Sequence, residues 1–170
     1  MTVHFLSPKN ARQHLLTGIS PEDQARYWMA AALIGVAYTY QSGWIGFRFE
    51  WPILFDIFAT IAITWIGIFE CYRANGENKG RDLILRMAVL GAPLGIRLWV
   101  ITFLLYAINW WGFPFFMQTG IFANPERAWH FLTFILWNGT AAIFWWRMHH
   151  HMLVLTRMAN QSPPIPLQNS

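Results

Sequence analysis

Four apolar stretches, each long enough to cross a bilayer as a helix, govern what this chain can fold into. They cover residues 25–45, 51–72, 83–110 and 127–148. A hydrocarbon core about 30 Å thick takes about 20 helical residues, and all four stretches meet that length. Charged residues make up only 12% of the chain, against about 25% in a soluble domain. The deficit is concentrated in these four blocks, and too little polar sequence lies outside them for a second domain. The expected fold is all-α, a four-helix transmembrane bundle over 25–158. A cytoplasmic or interfacial segment, 1–24, precedes it, and a proline-rich tail, 159–170, follows.

Local signals place the ends of the spans. Ser7-Pro8 opens a short segment, Lys9 to Leu16, that either forms one or two helical turns among lipid headgroups or stays a free tail. Ser20-Pro21-Glu22-Asp23 is a helix start, with a capping serine, proline at the first helical position and acids at the positive end of the helix dipole. Trp51-Pro52 opens the second span in the same way, and Asn75-Gly76 closes it as a left-handed cap. The third span contains Gly91-Ala-Pro93-Leu-Gly95; Pro93 removes one backbone donor and clashes with the carbonyl of Val89, which predicts a kink. The aromatic run Trp110 to Met117 is expected as a loop at the membrane surface. Asn124-Pro125-Glu126 starts the fourth span, which is expected to run into the cytoplasm to about Arg157 before the prolines of the tail forbid helix. The N-terminus lacks the basic region and cleavage site of a signal peptide, so the first span is expected to act as an uncleaved anchor.

Basic residues set the orientation. Lys9, Arg12, Arg26, Arg73, Lys79, Arg81, Arg86, Arg147 and Arg157 would share one side, and Arg48 and Arg127 the other. The positive-inside rule then places both termini and the link between the second and third spans in the cytoplasm. The four-span layout points to a bacterial inner membrane. The net charge of +4 sits at the ends of the apolar stretches, which suits anionic lipid headgroups rather than nucleic acid.

Charge inside a bilayer is costly, and two residues carry it here. Asp56 lies about 24 Å and Arg97 about 21 Å from the same membrane edge, counted along their helices at about 1.5 Å per residue. The second and third spans are expected as antiparallel neighbours, so the two charges reach similar depth and an Asp56–Arg97 ion pair satisfies both. Such a pair either locks two helices together or forms part of a substrate, ion or proton site. Thr60 and Thr64 follow Asp56 along one helix face, and Asn138 lies near the middle of the fourth span. In the first span Ala31, Gly35, Thr39 and Gly43 recur every four residues, the pattern of close helix packing. Glu70 is expected to join Arg73, Arg81 and Arg86 in an ion network at the cytoplasmic edge.

Several chemistries are excluded. One cysteine, Cys71, permits neither an intramolecular disulfide nor a CxxC redox pair. The chain has no glycine-rich phosphate loop, GxSxG or HExxH. His149-His150-His151 are consecutive, so on a helix they point about 100° apart and do not grip one metal together. They are expected among headgroups, with a metal or haem site completed by another chain as the weaker reading. The first three spans hold no histidine, which argues against a four-helix b-type cytochrome. No catalytic residue, metal or cofactor is expected; bound lipid is. Eleven tryptophans and an aromatic content of 18% exceed what interfacial belts need and favour a non-catalytic accessory or structural subunit that packs against other membrane subunits or a second copy. A small transporter or channel using Asp56 and Arg97 is the alternative, and a redox or metal-binding subunit using the terminal histidines is the third.

Overall fold

A computed structural model describes residues 7–43, 51–77, 82–118 and 125–161. Among these the chain is all-helical: α1 (Pro8–Thr17), α2 (Pro21–Gly43), α3 (Trp51–Ala74), α4 (Leu83–Gln118) and α5 (Pro125–Gln161).

The helix ends follow from the local chemistry. Ser7 Oγ accepts from the amide of Asn10, Pro8 opens α1, and Gly18 closes it at φ 90°. At the head of α2, Ser20 Oγ accepts from the Asp23 amide at 3.2 Å and donates to Asp23 Oδ2 at 3.0 Å, so one hydroxyl serves both partners. α3 stops at Asn75-Gly76, where Gly76 takes φ 95°, a conformation that is costly for any residue with a Cβ. Its last carbonyls find partners: the Asn75 amide reaches the Cys71 carbonyl, and Thr156 Oγ1 on α5 donates to the Ala74 carbonyl at 2.9 Å.

One stretch is more helical than the sequence suggests. Residues 110–117, expected as a surface loop, belong to α4, which continues to Gln118. Pro114 forfeits one backbone hydrogen bond there, and a helix already well under way tolerates that loss. Pro93, within α4 as expected, is fully buried. α4 and α5, with 36 and 37 residues, are each about 54 Å long or more at 1.5 Å per residue.

The helices form a row in the order α2, α4, α5, α3, with α1 laid over α4 and α5. Among the described residues no comparable packing joins α2 to α3 or α3 to α4. The contacts of α3 with α5 advance together along both helices, so the two run parallel, and those of α2 with α4 do the same. Along α3 and α5, Asp56 meets Asn138 and Ala74 meets Thr156, an offset of 82 residues at both contacts. Gly67 lies between them and brings the α3 backbone directly against the Trp145 ring. Tyr27 packs with Val89 and Ala92, and Ile34 lies over Gly95, which ties α2 to α4. By contrast, a Cβ on Gly35 would meet nothing within 4 Å.

The main core lies at one end of the row. Cys71 and Ala74 of α3, Leu90 and Leu94 of α4 and Met148, Met152 and Leu155 of α5 form it, and Leu15 and Leu16 of α1 close it. A second cluster joins Ala11, Tyr27, Val89 and Ala92.

Two segments, Leu54–Ala74 and Leu83–Leu105, are long and apolar enough to cross a membrane. In the first, only 11% of the most apolar window is buried. Phe55, Phe58 and Trp65 stand out from α3 at 67%, 68% and 75% exposure.

Candidate functional site

The most concentrated polar feature between the apolar helices is built from α3 and α5. Asp56 and Thr60 are one turn apart on α3 and face Asn138 of α5. The Asn138 amide nitrogen donates to Asp56 Oδ1 and to the Phe134 carbonyl, the latter at 3.2 Å. Its Oδ1 accepts from Thr60 Oγ1 at 3.2 Å. Asn138 is 6% exposed, and its oxygen and nitrogen both have partners, as a buried amide requires. The rings of Phe55 and Phe134 flank the cluster with centroids 5.5 Å apart. Thr64, one turn further along α3, is half-buried and outside these hydrogen bonds.

Asp56 and Arg97 are not brought together. Arg97 is exposed on α4, and α3 packs on α5 instead of on α4. The inference of an ion pair rested on neighbouring spans in the chain being neighbours in space. The row order separates those two helices, and an amide takes the place of the guanidinium. Asn138 was identified as an interior residue; its role as the partner of Asp56 carried no signal in the sequence, because 82 residues separate them.

At the other end of α3, Arg73 Nη1 lies 3.3 Å from Glu70 Oε1, one turn apart along the helix and largely exposed. Arg86 donates instead to Asn75 Oδ1 at 2.8 Å, which fastens the end of α3 to the start of α4. Arg81 lies outside the described residues. A polar group unmarked in the sequence sits between α1 and α2: His14 Nε2 is 3.7 Å from the buried Asp23 Oδ2, and Arg26 approaches the same carboxylate at 3.5 Å. The signal for it was available in Asp23, an acid in a capping turn, but nothing along the chain pointed to His14.

His149, His150 and His151 lie on α5. His150 is exposed and His149 and His151 are half-buried. The rings of His150 and His151 meet edge to face at 5.8 Å. His151 is held far below the usual imidazole range, to about 4, first by burial and then by the positive charges of Arg12, His150, Arg147 and Arg97. Among the described residues no three His, Cys, Asp or Glu side chains are grouped to hold a metal.

Chemically, the α3–α5 cluster offers one carboxylate held by an amide and one hydroxyl beside that amide. A nucleophile with an adjacent base is not part of it. It can join two helices, or hold a cation or a proton. The chain matches no protein-family model, no curated protein and no solved structure.

Proposed function

We propose that this chain is an integral membrane protein that crosses the bilayer four times, through α2, α3, α4 and α5. In this reading it serves as a non-catalytic accessory subunit of a bacterial inner-membrane assembly, with both termini in the cytoplasm. One observation carries the reading: α3 holds a long apolar segment of which only 11% of the most apolar window is buried within the chain. The core helix of a soluble protein buries its apolar face, and soluble monomers rarely expose apolar patches larger than a few hundred Å². Phe55, Phe58, Ile61, Trp65, Ile66 and Phe69 of α3 are all exposed, so the helix needs lipid or another protein around it. The contacts of Asp56 support a structural role for the polar cluster, because interhelical hydrogen bonds of this kind hold membrane helices together. Bound lipid and partner subunits, or a second copy of the chain, would cover the remaining surface.

A transport reading also has an observation in its favour: Asp56 is a carboxylate among apolar helices, and such groups often mark ion or proton paths. Purification in mild detergent separates the two. The accessory reading expects a complex of fixed stoichiometry that survives Asp56→Asn combined with Arg97→Gln. A lone monomer whose ion or proton flux in proteoliposomes disappears in that double variant would replace it with transport. Reporter fusions after residue 78 and at the C-terminus should read cytoplasmic, and one after residue 118 external. An external signal at residue 78 would reverse the orientation.

A further inference from the structure

Where α1 crosses α4 and α5, basic side chains gather around atoms that have no hydrogen-bond partner. Leu15 and Leu16 of α1 pack into the core beside Met152 and Leu155 of α5. Arg12 precedes those leucines by about one turn, and His151 precedes Leu155 by about one turn, so the same packing draws Arg12 and His151 together. Among the described residues, the charges acting on His151 are all basic: Arg12 from α1, Arg97 from α4, and His150 and Arg147 from α5. Arg12 Nε and His151 Nδ1 are both sealed from solvent, and neither has a hydrogen-bond partner. Buried polar atoms are nearly always paired, and leaving one unpaired is costly. The buried carboxylate of Asp23 does not serve here, because Ser20, His14 and Arg26 already hold it.

Two buried nitrogen atoms without partners, Arg12 Nε and His151 Nδ1, with only basic charges acting on His151 among the described residues, describe an anion site. We propose that Arg12, Arg97, Arg147 and His151 bind a phosphate group at the junction of α1, α4 and α5. Guanidinium groups match phosphate oxygens with paired donors, and a phosphate offers enough oxygens to meet donors arriving from three helices. The group is either a lipid headgroup phosphate or a free phosphate. Occupancy would also fasten α1 to the bundle, since Arg12 is its contribution.

The test follows the proton affinity of His151, because binding of an anion and binding of a proton at one site must reinforce each other. The full chain, with isotope-labelled histidine, is titrated by NMR in an uncharged maltoside micelle that contains no phosphate. His151→Gln assigns the signal. Inorganic phosphate is added in one arm and phosphatidylglycerol in the other, with sodium chloride at matched ionic strength as the reference. The expected result is that His151 binds its proton about ten times more tightly in at least one arm, and beyond any change at His149. A response to inorganic phosphate marks a free-anion site. A response to the lipid alone marks a headgroup site. Arg12→Gln should abolish the gain; if that variant does not fold, Arg97→Gln, at an exposed position, should reduce it. No gain in either arm, an equal gain with chloride, or an undiminished gain in the folded variant would overturn the proposal.

Discussion

The two ends of the helix row are built differently. At one end, the C-terminal parts of α3 and α5, the N-terminal half of α4 and the whole of α1 enclose Leu90, Met148, Met152 and Leu155, all nearly inaccessible. At the other, α4 and α5 expose Phe103, Leu104, Ile108, Phe131 and Ile135. There the polar cluster of Asp56, Thr60 and Asn138 holds α3 to α5. Both ends are apolar in sequence. What separates them is α1, a further helix that adds a layer at one end and has no counterpart at the other among the described residues. Apolar packing therefore secures the first end, and a few hydrogen bonds secure the second.

The largest expected effect sets the ends directly against each other. Leu90→Ala should cost about 2–5 kcal/mol, the range for a truncated core leucine. Leu104→Ala, at 56% exposure, should stay within about 0.5 kcal/mol. Reversible unfolding in mixed micelles measures both, and equal losses would erase the distinction.

A smaller effect is expected at the polar end. Asn138→Ala should cost about 1–3 kcal/mol, because it strips Asp56 and Thr60 of their shared partner. Combined with Asp56→Ala it should cost less than the sum of the single changes. Asp56→Ala with Arg97→Ala should be additive, as for separate sites. Coupling between Asp56 and Arg97 together with additivity between Asp56 and Asn138 would mean that α3 packs on α4 after all.

The smallest effect belongs to pH and to the α1 end. The folded chain holds His151 at about 4, below its ordinary value of 6.5. Between those values the unfolded chain binds the extra proton, so stability is complete above the ordinary value and declines as the pH falls toward about 4. Melting temperatures compared at neutral and mildly acidic pH should show this loss, and His151→Gln should remove part of it. An identical acid loss in that variant would assign it to other groups.

The sequence by itself determined several of the helix ends. Ser20-Pro21, Trp51-Pro52 and Asn75-Gly76 act over a few residues, through caps, a fixed proline φ and a left-handed glycine, and the structure uses all three. The apolar stretches are equally local, and those over 51–72 and 83–110 fall within α3 and α4, which hold the two segments long and apolar enough to cross a membrane. The extension of α4 through Pro114 escaped that reading, because a proline signals a break only where nothing else carries the helix onward. Tertiary structure alone decided which helices touch. Asp56 faces Asn138 rather than Arg97 because α3 seats its Gly67 under Trp145 and its last carbonyl on Thr156. Those contacts lie 78 and 82 residues apart along the chain. No local propensity records them, since a helix carries the same internal hydrogen bonds whichever neighbour it meets. Choice of neighbour comes from the fit of side chains between faces, and that fit exists only once the helices have assembled.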